Sequence, residues 1–157
     1  MTWAEVRSGQ PWRLVTATFV HFSLIHLGMN LLGLIKLGRL IEPLGYDSIW
    51  TVEHHFTPYT MVTDPLALLS YFAGCTEAVE MGTMVIVLPW HDPIRVAEGI
   101  AGLDNMLAGR RLSIGFGRGL GRREFGSLRI PMDESRQRFL ESLDVIRTAL
   151  TNEWFSY

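Results

Sequence analysis

Residues 81–93 read MGTMVIVLPWHDP, and this stretch decides the fold of the chain. Its first part, Met81 to Leu88, is almost entirely apolar, which is typical of a parallel strand covered on both faces. Asp92 followed by Pro93 supplies an N-cap and a proline at the first helical position, so a helix is expected to begin there. The stretch therefore predicts a buried strand that leads directly into a helix.

The same pattern occurs on either side of this stretch. Ser48–Val52 and Leu112–Phe116 are further β-rich runs, and Asp64-Pro65 repeats the helix start signal. A last helix is predicted after Pro131, because apolar residues recur at helical spacing. Strand, helix and strand at intervals of about 30 residues are typical of parallel βαβ units with right-handed crossovers, so the fold class is α/β. The apolar residues of the last helix are Phe139, Leu143, Ile146 and Leu150.

Length and composition limit what these units can form. With 157 residues the chain is too short for a complete (β/α)₈ barrel, which needs roughly 200 or more. A sheet of three parallel strands leaves edges and apolar surface open, so we expect strands from another chain or a larger architecture. The net charge of −2 gives no footprint for nucleic acid. The single cysteine, Cys75, excludes an internal disulfide and favours a reducing, cytoplasmic compartment.

Residues able to do chemistry follow each predicted strand. Glu53–Phe56 (EHHF), Pro89–His91 (PWH) and Gly117–Arg123 (GRGLGRR) come directly after the three strands, where ligands bind in parallel α/β folds. Adjacent histidines make a poor chelate, so no metal site is expected. The glycine cluster is not a dinucleotide fingerprint, because Arg122 replaces its third glycine. A phosphate-binding loop and a plain solvated turn stay equally open.

Taken together, the motifs resemble the bacterial luciferase-like flavin monooxygenases from about Leu40 to Tyr157. The resemblance implies strands two to four, with their helices, of a partial (β/α)₈ TIM barrel. It also implies that reduced FMN, or a deazaflavin in some relatives, reacts with O₂ and a small organic substrate at the strand ends, with a flavin reductase as a further partner. The blocks that carry the resemblance are LGYDSIWTVEHHF (44–56), residues 76–119, REF (123–125) and ESRQRF (134–139).

The resemblance also implies roles for six residues. His54 matches the active-site histidine that supports the reaction of reduced flavin with oxygen. Met84 and Val85 match strand residues beneath the flavin ring, where relatives hold a non-proline cis peptide bond. Arg118 and Arg136 match arginines near the flavin phosphate, and Leu120 matches a backbone contact beside them.

The resemblance is incomplete. The first barrel strand would precede Leu40, and strands five to eight would follow Tyr157. Gly117 stands where luciferases carry a reactive cysteine, so bioluminescence is not implied. We therefore expect a fragment from a fused or truncated reading frame that is weakly active or inactive alone.

The first 39 residues differ in character from residues 40–157, and the sequence predicts a domain boundary there. Leu14–Ile35 carries no formal charge, and as a helix it would extend about 33 Å, close to the ~30 Å hydrocarbon core of a bilayer. Its polar residues His21, His26 and Asn30 instead favour a buried or amphipathic helix. Both membrane association and a packed helix therefore stay open.

Residues 9–34 resemble the first conserved transmembrane segment of rhomboid intramembrane serine proteases. In that family the residues matching His26 and Asn30 help to stabilise the oxyanion, but the nucleophile lies in a G-x-S-G segment that this chain lacks. Without a nucleophile or base the segment would not hydrolyse peptides. The matching positions are Trp12, Arg13, Thr16, His21, His26 and Asn30.

Three functional hypotheses follow. The leading one is a fragment of a luciferase-like flavin-dependent oxidoreductase, whose missing strands would come from a partner or a homo-oligomer. The second is a remnant of a rhomboid-type membrane protease, which the absent serine motif disfavours. The third is a non-catalytic α/β fragment that is membrane-tethered or self-associating.

Overall fold

A computed structural model describes residues 32–33, 35–57 and 62–157 of the chain. The chain divides into two compact units, Met1–Leu40 and Ile41–Tyr157. In the first unit residues 35–40 are helical, and the predicted hydrophobic helix over Leu14–Ile35 lies almost wholly outside the described residues. Within the described part of the chain, no helix combines the length and the apolar character needed to cross a membrane.

The second unit alternates strands and helices, as the sequence predicts. Its described strands form one parallel sheet in the order β1-β2-β3, so the predicted α/β class is confirmed. In chain order the elements are β1 (Ser48–Thr51), α1 (Pro65–Ala73), β2 (Glu80–Val87), a short 3₁₀ turn (Leu88–Trp90), α2 (Pro93–Leu107), β3 (Leu112–Gly117), α3 (Arg122–Leu128) and α4 (Ser135–Thr151).

Helices α1 and α2 begin where the Asp-Pro signals predict. The Asp64 carboxylate accepts the N–H of Ala67 at 2.9 Å. The Asp92 carboxylate accepts the N–H groups of Ile94 and Arg95 at 2.9 and 3.0 Å. These bonds satisfy N–H groups that have no partner within the helix, which fixes where each helix starts after its strand.

Strand β2 contains an irregularity that decides which side chains reach each face of the sheet. Between the pairs Thr83↔Ile114 and Ile86↔Phe116, β2 advances by one residue more than β3. Side chains two apart in a regular strand share a face, yet Met84 is 61% exposed and Ile86 only 2%. The extra residue breaks the alternation, as a β-bulge does, so Ile86 faces the core while Met84 stays on the open face.

The core of the second unit lies between one face of the sheet and the helices. Buried side chains of β2, α2 and α4 form its centre, and Leu66 of α1 packs against them. On the opposite face, Trp50 and Met84 are exposed, and the Trp50 ring covers Gly82 so closely that a Cβ there would overlap it. Among the described elements the helices lie on one face of the sheet, as they do in a segment of a β/α barrel. The central core residues are Ile86, Leu88, Val96, Ala97, Ile100 and Ile146.

Candidate functional site

A cleft of about 530 Å³ opens at the carboxyl ends of the three strands. Parallel strands end at the same edge of the sheet, so the loops that follow them meet there. The cleft brings together five of the six residues to which the family resemblance gives roles, one after β1, two on β2 and two after β3. They are His54, Met84, Val85, Arg118 and Leu120.

Arg136 is not part of this cleft. It lies near the start of α4 and lines a separate surface depression with Asp133, Gln137, Leu140 and Glu141. The sequence places it beside Arg118 only through the family resemblance. The structure does not bring these two arginines into one cleft.

One wall of the cleft is apolar and open. Leu120 is 78% exposed, and Met84 and Val85 follow one another on β2 at the point where the strand is irregular. The peptide bond between Met84 and Val85 is cis. The apolar side chains give the cleft a surface for a flat ring. The Arg118 guanidinium beside them offers a cation for an anionic group.

Glu53 is the most heavily bonded carboxylate beside the cleft. It is 3% exposed, and its Oε2 accepts the N–H of Val87 at 2.7 Å. Its Oε1 lies 2.8 Å from Nε2 of His55 and 2.6 Å from Nε2 of His91. A buried carboxylate persists only when such partners replace water, so these bonds explain how Glu53 is tolerated at the end of β1.

A second carboxylate reaches His54 from helix α3. Oε1 of Glu124 lies 3.2 Å from Nδ1 of His54 and accepts the backbone N–H of His55 at 2.9 Å. Glu124 is buried, whereas the His54 side chain is 33% exposed. The contact ties the loop after β1 to the start of α3, on the rim of the same cleft.

Two glycines make room for this arrangement. Gly119 has φ +79°, a conformation that other residues rarely adopt, and a Cβ there would crowd Val87 and the aromatic rings of Phe125 and Trp90. A Cβ at Gly121 would overlap the Glu124 carboxylate. The glycine-rich loop is therefore required for packing at both positions, whatever it binds.

Sequence reasoning recognises the EHHF and PWH segments but misses their partnerships. His91 is 38 residues from Glu53, and Glu124 is 70 residues from His54. Nothing in a local pattern pairs residues this far apart. Glu124 carries two weak signals, its place in the REF block (123–125) and its position three residues after Gly121, the N-cap of α3. Among the described residues, no group of three or more ligating side chains is arranged for a metal ion.

The fold and the cleft define an α/β protein with a parallel sheet, consistent with part of a β/α barrel, and with a candidate site at the carboxyl ends of the strands. A family model described as "Luciferase-like monooxygenase" matches residues 13–157. Because this match covers most of the chain, the chain belongs to the luciferase-like monooxygenase family.

Individual relatives agree with this assignment. The alkanal monooxygenase alpha chain of Photorhabdus laumondii is 39% identical over 103 residues, which are 66% of this chain and 28% of the relative. The crystal structure of the monooxygenase RslO1 from Streptomyces bottropensis matches with a TM-score of 0.72 and 34% identity, over 79% of this chain and 39% of RslO1. The chain therefore spans well under half of the length of these relatives.

A third match concerns the fold. The oxygenating constituent of 3,6-diketocamphane monooxygenase from Pseudomonas putida, in complex with FMN, superimposes with a TM-score of 0.72. It is 24% identical and covers 79% of this chain and 34% of that protein. The likeness places the three described strands and their helices within a known monooxygenase architecture.

The family match changes one prediction about the first 39 residues. It begins at residue 13 and not near Leu40, so it includes most of the segment for which the sequence predicts a rhomboid-like helix. None of the relatives described above is a rhomboid protein. The rhomboid interpretation of residues 9–34, and with it the idea of a fused reading frame, has no support.

Proposed function

We propose that residues 41–157 carry part of the flavin and reaction site of a luciferase-like monooxygenase. In this proposal reduced FMN, or a deazaflavin, and O₂ act on a small organic substrate at the carboxyl ends of the strands. The observation that carries the proposal is the single cleft that gathers His54, Met84, Val85, Arg118 and Leu120. Family membership and the FMN complex of the Pseudomonas relative support the choice of cofactor.

The residues of the cleft fit such a cofactor. An isoalloxazine ring is flat and largely apolar, and Met84, Val85 and Leu120 offer an apolar wall of matching character. Flavin mononucleotide also carries a phosphate, for which the Arg118 guanidinium is a suitable partner. When bound, the reduced flavin supplies the electrons that activate oxygen.

Each predicted residue then has a separate task. Met84 and Val85 pack against the ring, Arg118 binds the phosphate, and Leu120 contributes a backbone contact beside it. His54, on the rim of the cleft, holds or transfers a proton during the reaction. The assignment of Arg136 to the phosphate stays a sequence-based prediction, because Arg136 lines a different depression.

Titration of FMN with the purified chain, followed by flavin fluorescence, tests the proposal. We expect saturable quenching below the millimolar range, and we expect Arg118→Ala to weaken it at least several-fold. Arg147→Ala is the matched control, because Arg147 is 75% exposed on α4 and pairs only with Asp144 among the described residues. Absence of saturable binding, or equal weakening by both variants, would overturn the proposal.

Catalytic turnover by this chain alone is a separate question from flavin binding. Because the described sheet has three strands, we propose that full activity needs further strands, for which a partner or a second copy is one source. A flavin reductase would supply the reduced cofactor.

A second candidate function is a non-catalytic, self-associating α/β fragment. Trp50 and Met84 favour it, because they are exposed on the face of the sheet that no described helix covers, and exposed apolar patches commonly mark interaction surfaces. Light scattering over a range of concentrations separates the two candidates. A monomer that binds FMN excludes the second candidate, and an oligomer that binds none excludes the first.

The proposal does not extend to the rhomboid alternative or to membrane association through Leu14–Ile35. That segment lies almost wholly outside the described residues, and none of the relatives above supports either idea. A cytoplasmic location stays a sequence-based prediction.

A further inference from the structure

We propose that Glu124 is a positioning residue for His54. Its carboxylate selects the ring form of His54 that carries the proton on Nδ1, so that Nε2 becomes the nitrogen able to accept a proton. The proposal rests on the proposed function only in giving His54 a role in proton transfer. The tautomer itself is a property of the chain without any cofactor.

The position of the Glu124 carboxylate is fixed independently of His54. Its Oε1 accepts the backbone N–H of His55 at 2.9 Å, and the residue is 5% exposed. The same oxygen lies 3.2 Å from Nδ1 of His54. Because the oxygen is held by a backbone group, it presents a constant acceptor to the imidazole ring.

The chemistry of the pair decides which nitrogen carries the proton. A carboxylate oxygen only accepts hydrogen bonds, so the ring nitrogen that faces it has to be the donor. In a neutral imidazole the other nitrogen then holds the lone pair. The same logic orients the histidine of hydrolase triads, where a buried carboxylate sets the tautomer.

Gly121, the N-cap of α3, is part of this arrangement. Gly121 has ordinary φ and ψ values of −76° and 100°, so its backbone does not require glycine. A Cβ at this position would nevertheless overlap the Glu124 carboxylate. Gly121 therefore gives Glu124 the space to reach His54.

Other charged groups share this rim. Glu53 and Arg118 also line the cleft, and Glu53 bonds to His55 and His91. Among the contacts of the described residues, the Glu124 carboxylate lies within hydrogen-bond distance of the His54 ring. The tautomer of His54 should therefore respond to the removal of the Glu124 carboxylate.

Nuclear magnetic resonance of the whole chain labelled with ¹⁵N-histidine tests the proposal. Spectra at about pH 8.5, where histidine is ordinarily neutral, distinguish a protonated from an unprotonated ring nitrogen, and His54→Asn identifies the His54 signals. We expect wild-type His54 to carry its proton on Nδ1. We expect Glu124→Met, which removes both acceptor oxygens at nearly constant side-chain length, to move at least half of the population to the other tautomer.

Gly121→Ala provides a second variant that displaces the carboxylate without changing its chemistry. It should shift the tautomer in the same direction as Glu124→Met. Gly126→Ala is the matched control in the same helix, because a Cβ there meets nothing within 4 Å, and its spectrum should equal that of the wild type. Should Glu124→Met not fold, Gly121→Ala still tests whether displacement of the carboxylate changes the tautomer.

Two results would overturn the proposal. One is a wild-type His54 that carries its proton on Nε2, and the other is a tautomer unchanged in the folded variants. Neither depends on flavin, so the tautomer and the FMN titration succeed or fail separately. Loss of FMN binding alone therefore leaves the assignment of Glu124 intact.

Discussion

Glu53 illustrates how a single charged residue is accommodated at the edge of the sheet. Its side chain is inaccessible to solvent, and three donors replace the water that it loses on folding. The donors come from the loop after β1, from the end of β2 and from the residue after the 3₁₀ turn. Glu53 thus holds together the segments that form one side of the cleft.

Replacing Glu53 by alanine should therefore destabilise the chain. The Glu53→Ala variant leaves the buried N–H of Val87 and the partly buried rings of His55 and His91 without their acceptor, and removing one member of such a network costs about 3–5 kcal/mol. Urea unfolding followed by circular dichroism measures the loss. Glu98→Ala is the control, since Glu98 is 59% exposed and pairs only with Arg95 among the described residues, and it should cost less than about 1 kcal/mol. Equal losses in the two variants would contradict the role given to Glu53.

At the scale of the elements, a single carboxylate organises the loop that precedes β2. Oε1 of Glu42 accepts the consecutive backbone N–H groups of Glu77, Ala78 and Val79 at 2.7, 2.5 and 2.9 Å. These N–H groups converge on one anion, as they do in anion-binding backbone nests. The segment before β1 is thereby fastened to the start of β2.

This arrangement makes one contribution to stability dependent on pH. The N–H groups of Ala78 and Val79 hold the pKa of Glu42 below its ordinary value of 4.5, although desolvation acts in the opposite direction. A pKa that is lower in the folded state contributes stability above pH 4.5, and this stability is lost as the pH falls through the folded value. The difference in unfolding free energy between wild type and Glu42→Gln should therefore be larger at pH 7 than at pH 3. An equal difference at both pH values would show that the nest does not favour the charged form.

At the scale of the whole second unit, stability depends on one face of the sheet. The core joins β2 to α2 and α4, while the opposite face lacks a helical layer among the described residues. The described part of the unit therefore has a single apolar layer between sheet and helices. Each buried side chain in that layer contributes strongly to the free energy of unfolding.

Ile146→Ala tests this dependence on α4. Ile146 is 2% exposed and belongs to the central cluster, so its truncation should cost about 2–5 kcal/mol by loss of burial and creation of a cavity. Leu140→Ala on the same helix is the control, because Leu140 is 53% exposed and should cost less than about 0.5 kcal/mol. Thermal and urea unfolding provide the measurement, and a small effect of Ile146→Ala would mean that α4 is not part of the core.

Much of the fold was predictable because its signals are local. The first strand is predicted over 48–52 and observed as Ser48–Thr51, and the apolar run 81–88 is observed as Glu80–Val87, with Leu88 beginning the 3₁₀ turn. Caps and prolines fix the helix starts through bonds between residues two or three apart. Such signals are read directly from neighbouring residues.

The sequence by itself determined the α/β class, the helix starts and the meeting of strand ends in one cleft, because each follows from short-range patterns and parallel connection. Only the tertiary structure decided the bulge in β2, the pairing of Glu124 with His54, the sharing of Glu53 by His55 and His91, and the separation of Arg136 from the cleft. These features depend on side chains brought together from distant segments, and the packing of helices on the sheet sets their distances.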